Sequence, residues 1–190
     1  TMPVDPAHGR NIPTGRDVAR IVRVMLSRQA DHVAASLRRD PSRIPQPLPV
    51  PQEVLDALAA ALLPHALRGM RDAERMLLFQ LHRRQAGKSF RGRTKGLFSL
   101  PPLVSRAVEF VKNSVLTLVQ STLATAYDRA AVALQKVKDA IGLGIATGAS
   151  HAAISQAVHA GIADPEKALT IGQTETSRAI HQSQLMFDED

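Results

Sequence analysis

Residues 101–142 read PPLVSRAVEFVKNSVLTLVQSTLATAYDRAAVALQKVKDAIG, and this stretch decides the fold class. Val104, Ala107, Val108, Val111, Val115, Leu116, Leu118, Val119, Leu123, Ala126, Tyr127, Ala130, Ala131, Leu134, Val137 and Ile141 recur at helical spacing. That interval gathers side chains into one stripe of an α-helix. Pro101 and Pro102 open the tract, and Gly142, Gly144 and Gly148 stop it. An ordinary globular helix is far shorter, about 10–14 residues. The reading therefore expects either a break around residues 112–114 or a helix that protrudes and packs on a neighbouring subunit.

The flanking segments follow the same period. Val18, Ile21, Val22, Met25, Leu26, Val33, Ala34 and Leu37 mark an amphipathic helix that starts after Thr14 and ends at Asp40-Pro41. Residues 41–51 (PSRIPQPLPVP) hold five of the twelve prolines and form a stiff, extended connector. A further helix runs through Val54, Leu55, Leu58 and Leu62, where Pro64 is expected to kink or end it, and then continues to about Gln85. Near the end of the chain Ser150 caps a short helix through Ile154 and Val158, closed by Gly161. Asp164-Pro165-Glu166 then gives an N-cap, a proline at the first helical position and an acid near the positive helix end. No segment alternates as a strand. The expected fold is all-α: an elongated helical protein with a long central helix and a helical C-terminal subdomain.

Composition agrees. Aromatics make up only 3% of the chain, and Ala, Leu and Val supply most of the apolar content, which suits helix-on-helix packing. The absence of cysteine excludes disulfides, a thiol nucleophile and Cys-ligated metal. No apolar run approaches the roughly 20 residues that span a bilayer, and no signal-peptide pattern opens the chain, so it is expected to be soluble, cytosolic in origin and without a membrane partner. The organisation expected is a flexible arm (1–13), a basic helical region (14–100) and a helical domain (101–190).

Charge is lopsided. Residues 1–95 carry 17 Lys/Arg against 8 Asp/Glu, and residues 96–190 carry 7 against 9. The basic half suits an anionic partner, either nucleic acid or an acidic protein surface. Its densest stretch is the loop 83–96 (RRQAGKSFRGRTKG), where Arg83, Arg84, Lys88, Arg91, Arg93 and Lys95 stand without an acid. These six are the candidate contacts to phosphate or to an acidic partner. Gly87-Lys88-Ser89 is no phosphate-binding loop, because the first glycine of that motif falls on His82.

Catalytic and metal patterns are lacking. His151 and His159 stand eight apart without HExxH and read as surface or interface histidines; no metal or other cofactor is called for. The most distinctive run is LTIGQTETSRAIHQSQ, residues 169–184. Glu175 reaches Arg178 one turn on, with Thr174 and Thr176 beside them, so a charge-assisted polar cluster is expected on one face. The apolar residues Ala168, Leu169, Ile171, Ala179 and Ile180 need a partner, and the expected one is the long helix over 116–141. An exposed pair there is worth at most ~0.5 kcal/mol, whereas a partly buried one costs about 2–3 kcal/mol to break.

That run resembles the I-A-R-T-E-T-x-R-A-x-N signature of phage head-morphogenesis proteins, the Mu F-like minor head protein family. Thr174, Glu175, Thr176, Arg178 and Ala179 stand as the signature asks. Gln173 replaces its usual Arg, and Ile180-His181 an aromatic–Asn pair. The preceding layout is similar too: a long helix, a G-x-x-x-G-x-S stretch (Gly144, Gly148, Ser150), a short helix, then the signature helix. The resemblance covers about residues 103–186, and many relatives continue past the position of Asp190 with a D-x-x-x-C-x-x-C segment. It implies a non-enzymatic minor head protein in the virion head, and in the host cytoplasm during assembly. Such a protein acts at or near the portal vertex in capsid assembly and DNA packaging or delivery. Its partners are the portal or other capsid proteins, with phage DNA met through the basic half and homo-oligomerisation left open. Two alternatives stand beside it. One is a stand-alone basic DNA-binding protein. The other is an enzyme, since Gln173-Thr174-Glu175 fits the Q-x-E element of ADP-ribosyltransferases, an element that belongs on a β-rich scaffold.

Overall fold

The computed structural model describes residues 15–40, 42–85, 100–142 and 151–188. Five helices follow one another: α1 (Gly15–Arg39), α2 (Gln52–Gln85), α3 (Leu100–Gly142), α4 (His151–Ile162) and α5 (Pro165–Asp188). The described residues contain no strand, and the fold is all-α.

α1 forms where the periodicity places it and buries Val18, Val22, Met25, Leu26, Val33 and Leu37. Its end is local chemistry. Asp40 still donates its amide to the Ser36 carbonyl at 2.9 Å, and its own carboxylate then accepts the Ser42 amide at 2.9 Å. Pro41, with no N–H to offer, cannot extend the helix. The Ser42 hydroxyl and amide hold the Asp40 carboxyl below its ordinary range.

The connector after α1 is extended, as its prolines require, and it is fastened down. Gln29, only 3% exposed, meets Leu48 with both ends of its side-chain amide. Its Nε2 donates to the Leu48 carbonyl at 2.8 Å, and its Oε1 accepts the Leu48 amide at 3.0 Å. Lys138 of α3 donates to the Ser42 carbonyl at 3.0 Å, and Ile44 and Val50 tuck against the core. Leu48 is flanked by Pro47 and Pro49, so it brings the free amide in this part of the connector, and Gln29 satisfies it.

α2 runs unbroken through Pro64, which does not end it. The proline faces solvent, so its ring displaces no core side chain, and the lost hydrogen bond falls on the hydrated side of the helix. The break expected around residues 112–114 is absent as well: α3 is continuous over 43 residues. Lys112 and Asn113 are exposed, while Val111 and Val115 on either side are buried, so the polar interruption spans less than one turn of the solvent face. Arg83 and Arg84 lie in the last turn of α2, not in a loop. Lys88, Arg91, Arg93 and Lys95 lie outside the described residues, as do the arm 1–13 and the glycine-rich stretch 143–150.

All five helices feed one hydrophobic cluster. Val22 and Leu37 of α1, Leu58 and Leu62 of α2, Leu118 of α3, Val158 of α4 and Ala168 of α5 belong to it together. The core thus crosses the expected boundary at residue 100. Ile154, Val158 and Ile162 bring α4 onto it, and Ser155 of α4, fully buried, donates to the Ala34 carbonyl of α1 at 3.1 Å. α5 packs chiefly on α1 and α2 and touches α3 only lightly, which corrects the expectation that the long helix is its partner.

Candidate functional site

α5 carries the signature residues, and its start is built by Asp164. The Asp164 carboxylate accepts the Glu166 amide at 3.0 Å and pairs with Lys167 at 3.4 Å. Desolvation raises the Asp164 carboxyl, but the hydrogen bonds from Glu166 and Lys167 outweigh it and hold the group below its ordinary range. One face of the helix then consists of small residues: Ala168, Gly172, Ala179 and Ser183 are all buried.

Those small residues explain the choice of partner. A Cβ on Gly172 would collide with the Gly15 carbonyl oxygen and the Ala19 amide of α1. A Cβ on Gly69 of α2 would collide with the Ser183 hydroxyl and the Ile180 carbonyl of α5. Backbone therefore rests on backbone at two crossings, which only glycine permits. Ser183 donates to the Ile180 carbonyl at 2.8 Å, and so brings no unpaired hydroxyl into the seam. The Thr176 hydroxyl is buried and has no hydrogen-bond partner among the described residues. Leu169, expected in the apolar face, is 41% exposed: the seam admits small side chains and excludes it.

The other side of α5 faces α3 across an open cleft. Near its start the cleft is a cavity of about 280 Å³ whose lining includes Lys167, Thr174 and Glu175 of α5 with Ser121, Thr125 and Arg129 of α3. Farther along, a cavity of about 460 Å³ includes Arg178, Gln182 and Met186 opposite Arg106, Phe110 and Asn113. Two ladders with a four-residue step line these walls, Asn113-Thr117-Ser121-Thr125-Arg129 and Thr170-Thr174-Arg178-Gln182-Met186. A four-residue step keeps side chains on nearly the same helix face. Most of the hydroxyls are spoken for as donors: Thr117 gives to the Asn113 carbonyl, Thr125 to Ser121 and Thr170 to Glu166, at 2.9–3.1 Å.

Glu175 and Arg178 form the predicted pair at 3.8 Å. The Glu175 side chain is 13% exposed and that of Arg178 47%. Burial pushes the Glu175 carboxyl up, and the Arg178 guanidinium pulls it back only in part. Thr174 and Thr176 do not join them in one cluster. Two residues along a helix is a turn of roughly 200°, so Thr174 lines the cleft while Thr176 enters the seam. Ala179 is seam as well. The signature is thus divided between two surfaces. Gln173 and Glu175 are separated in the same way: Gln173 passes beside Gly15 of α1, and Glu175 turns to α3.

Two polar nodes went unread in the sequence. One joins Tyr127 of α3 to Gln29; its only signal was a glutamine inside the apolar stripe of α1. The other joins His159 of α4 to Asp31 of α1 at 3.1 Å, which makes His159 an interface histidine. Among the described residues no group of three or more His, Asp or Glu is placed to hold a metal, and no helix is long and apolar enough to cross a membrane. No family model matches the chain, and no match is found among curated proteins or among solved structures.

Proposed function

We propose that the chain is a phage minor head protein, a non-enzymatic structural component that acts at or near the portal vertex in head assembly and in DNA packaging or delivery. The observation that carries this reading is the use to which the signature is put. Ala179 and the Thr176 hydroxyl are buried in the seam that fastens α5, and Glu175 is largely covered at the cleft wall. A motif spent on fixing a helix is what a scaffold protein needs. The order of long α3, short α4 and signature-bearing α5 is also the order that the sequence resemblance implies.

Such a component needs a surface for another protein, and the ends of α2 and α5 offer one. Met76, Leu77 and Leu185 line a hollow of about 430 Å³, with Met76 66% and Leu185 62% exposed. Phe79, one turn past Met76, is exposed too. Contiguous exposed apolar side chains mark protein–protein sites. The test is co-sedimentation of the purified full chain with its portal or with procapsids. The expected result is association that Phe79→Ser with Leu185→Ser abolishes without lowering the melting temperature. A chain that never associates, with either portal or procapsid, overturns the reading.

A further inference from the structure

α1 is held rigidly by one face and bare on the other. Val18, Val22, Met25, Leu26, Val33 and Leu37 are each no more than 3% exposed, so the rotation of the helix about its axis is fixed. On the opposite side Arg16, Arg20, Arg23 and Arg28 are all exposed. At 1.5 Å of rise per residue they follow one another in steps of about 6, 4.5 and 7.5 Å and span about 18 Å. Arg16, Arg20 and Arg23 fall within roughly 60° of one another around the axis, with Arg28 on the flank.

None of these four guanidinium groups has an ion-pair partner among the described residues. The acids of the same helix offset them only in part. Asp17 stands in the first turn, one residue from Arg16 and three from Arg20, and Asp31, three residues past Arg28, meets His159 of α4 at 3.1 Å. Four arginines against two acids leave this face with a net positive charge, and the buried side of the helix pre-positions it.

We infer that the Arg16–Arg20–Arg23–Arg28 face of α1 is a binding surface for the phosphate backbone of duplex DNA. A duplex strand presents a phosphate about every 3.4 Å of rise, so each guanidinium in the row meets a phosphate of its own. Arginine suits the task because its planar fork grips two phosphate oxygens at once. The face holds no aromatic residue and no exposed Asn or Gln, hence nothing that reads base edges, and binding is independent of sequence. A protein partner is disfavoured by the same inventory. Protein interfaces centre on large apolar anchors, and the exposed apolar residue here is a single Val24. It deepens the DNA-handling part of the head-protein reading by naming the surface, and the two tests fail separately: DNA binding is measured without a portal, and portal association without DNA.

The experiment is fluorescence anisotropy of the full chain with a labelled 30-base-pair duplex of scrambled sequence, titrated from 50 to 300 mM NaCl. The logarithm of affinity should fall linearly with the logarithm of salt. Arg16→Gln, Arg20→Gln, Arg23→Gln and Arg28→Gln together should make that slope shallower by about three to four, at roughly 0.9 per phosphate contact. Affinity at the lowest salt should drop at least tenfold, with an unchanged melting temperature. Arg38→Gln with Arg39→Gln removes charge from the same helix outside the row and should alter the slope by less than one. If the fourfold variant does not fold, Arg20→Glu replaces it and should lower the slope by one or more. An unchanged slope overturns the inference. So does an equal effect per residue from Arg38 and Arg39, which means diffuse charge, or competition by polyglutamate as strong as by duplex DNA, which means an acidic protein partner.

Discussion

The Tyr127 hydroxyl donates to Gln29 Oε1 at 2.8 Å, across 98 residues of sequence, and so closes a polar node between α3, α1 and the proline connector. Burial pushes the Tyr127 phenol above its ordinary range, so it stays a donor into alkaline pH. Tyr127→Phe removes one hydrogen bond and should lower stability by about 1 kcal/mol. Gln29→Leu leaves the Leu48 amide and carbonyl and the Tyr127 hydroxyl without partners and should cost about 2–3 kcal/mol. Because both substitutions remove the same Tyr127–Gln29 hydrogen bond, the double variant should lose less than the sum. Urea unfolding of the three variants tests this; strict additivity refutes the shared node.

Glycines separate crossings from ordinary helix. Gly172→Ala and Gly69→Ala place a methyl against backbone and should destabilise by about 1–3 kcal/mol despite the better helix propensity of alanine. Gly161 in α4 has nothing within 4 Å of the position of a Cβ. Gly161→Ala should therefore stabilise by about 0.5–1 kcal/mol. Thermal melts of the three variants should move in opposite directions, and a common direction refutes the assignment of the crossings.

Thr176 is the reverse case, a polar atom where a methyl fits better. Its hydroxyl is buried without a partner, so Thr176→Val, nearly the same shape, should raise stability by about 1 kcal/mol. A loss of stability on this substitution means that the hydroxyl does find a partner in solution.

Glu175 sets a pH dependence with a definite sign. Its carboxyl is raised by burial, so the folded chain holds the proton more tightly than the unfolded chain. Its stabilising contribution is complete below the ordinary glutamate value of about 4.3 and is lost as pH rises through the raised native value. Glu175→Gln, permanently neutral, should match or exceed the parent in melting temperature at pH 7 and should flatten the pH profile above pH 4.3. Arg178→Gln should cost at most ~1 kcal/mol, because a half-exposed guanidinium is screened by water. The larger loss expected for breaking a buried pair does not apply here. Melting temperatures between pH 3.5 and 7.5 decide the matter; a Glu175→Gln variant that melts well below the parent at pH 7 refutes it.

How legible was this fold? α1 was open to view because its buried face is apolar save for Gln29: Val18, Val22, Met25, Leu26, Val33 and Leu37 leave no choice of period. The connector declared itself through its prolines. The continuity of α2 and α3 did not, since a proline or a polar triplet stops a helix only when it falls toward the core. Pro64 and Lys112-Asn113 fall toward water. The pairing of Glu175 with Arg178 followed from helical spacing alone. The partner of α5 could not be read, because hydrophobic pattern ranks Leu169 above Gly172, whereas close approach ranks them the other way. Shape complementarity at Gly15, Gly69 and Gly172 is a property of two surfaces, and one strand of letters shows each surface singly.

The placement of α5 has a consequence for the order in which the protein can be made. α1 and α2 touch each other far less than each touches α5, so the parts of their faces that α5 covers stay open until the last helix arrives, although α4 packs on α1 and α3 on α2. On the ribosome that means Gly15, Ala19 and Gly69, which lie against α5, wait until residues 165–188 have been synthesised and released from the exit tunnel. The N-terminal half is thus a late-closing half, and a nascent chain arrested after α4 should be sticky, protease-sensitive and a client for chaperones.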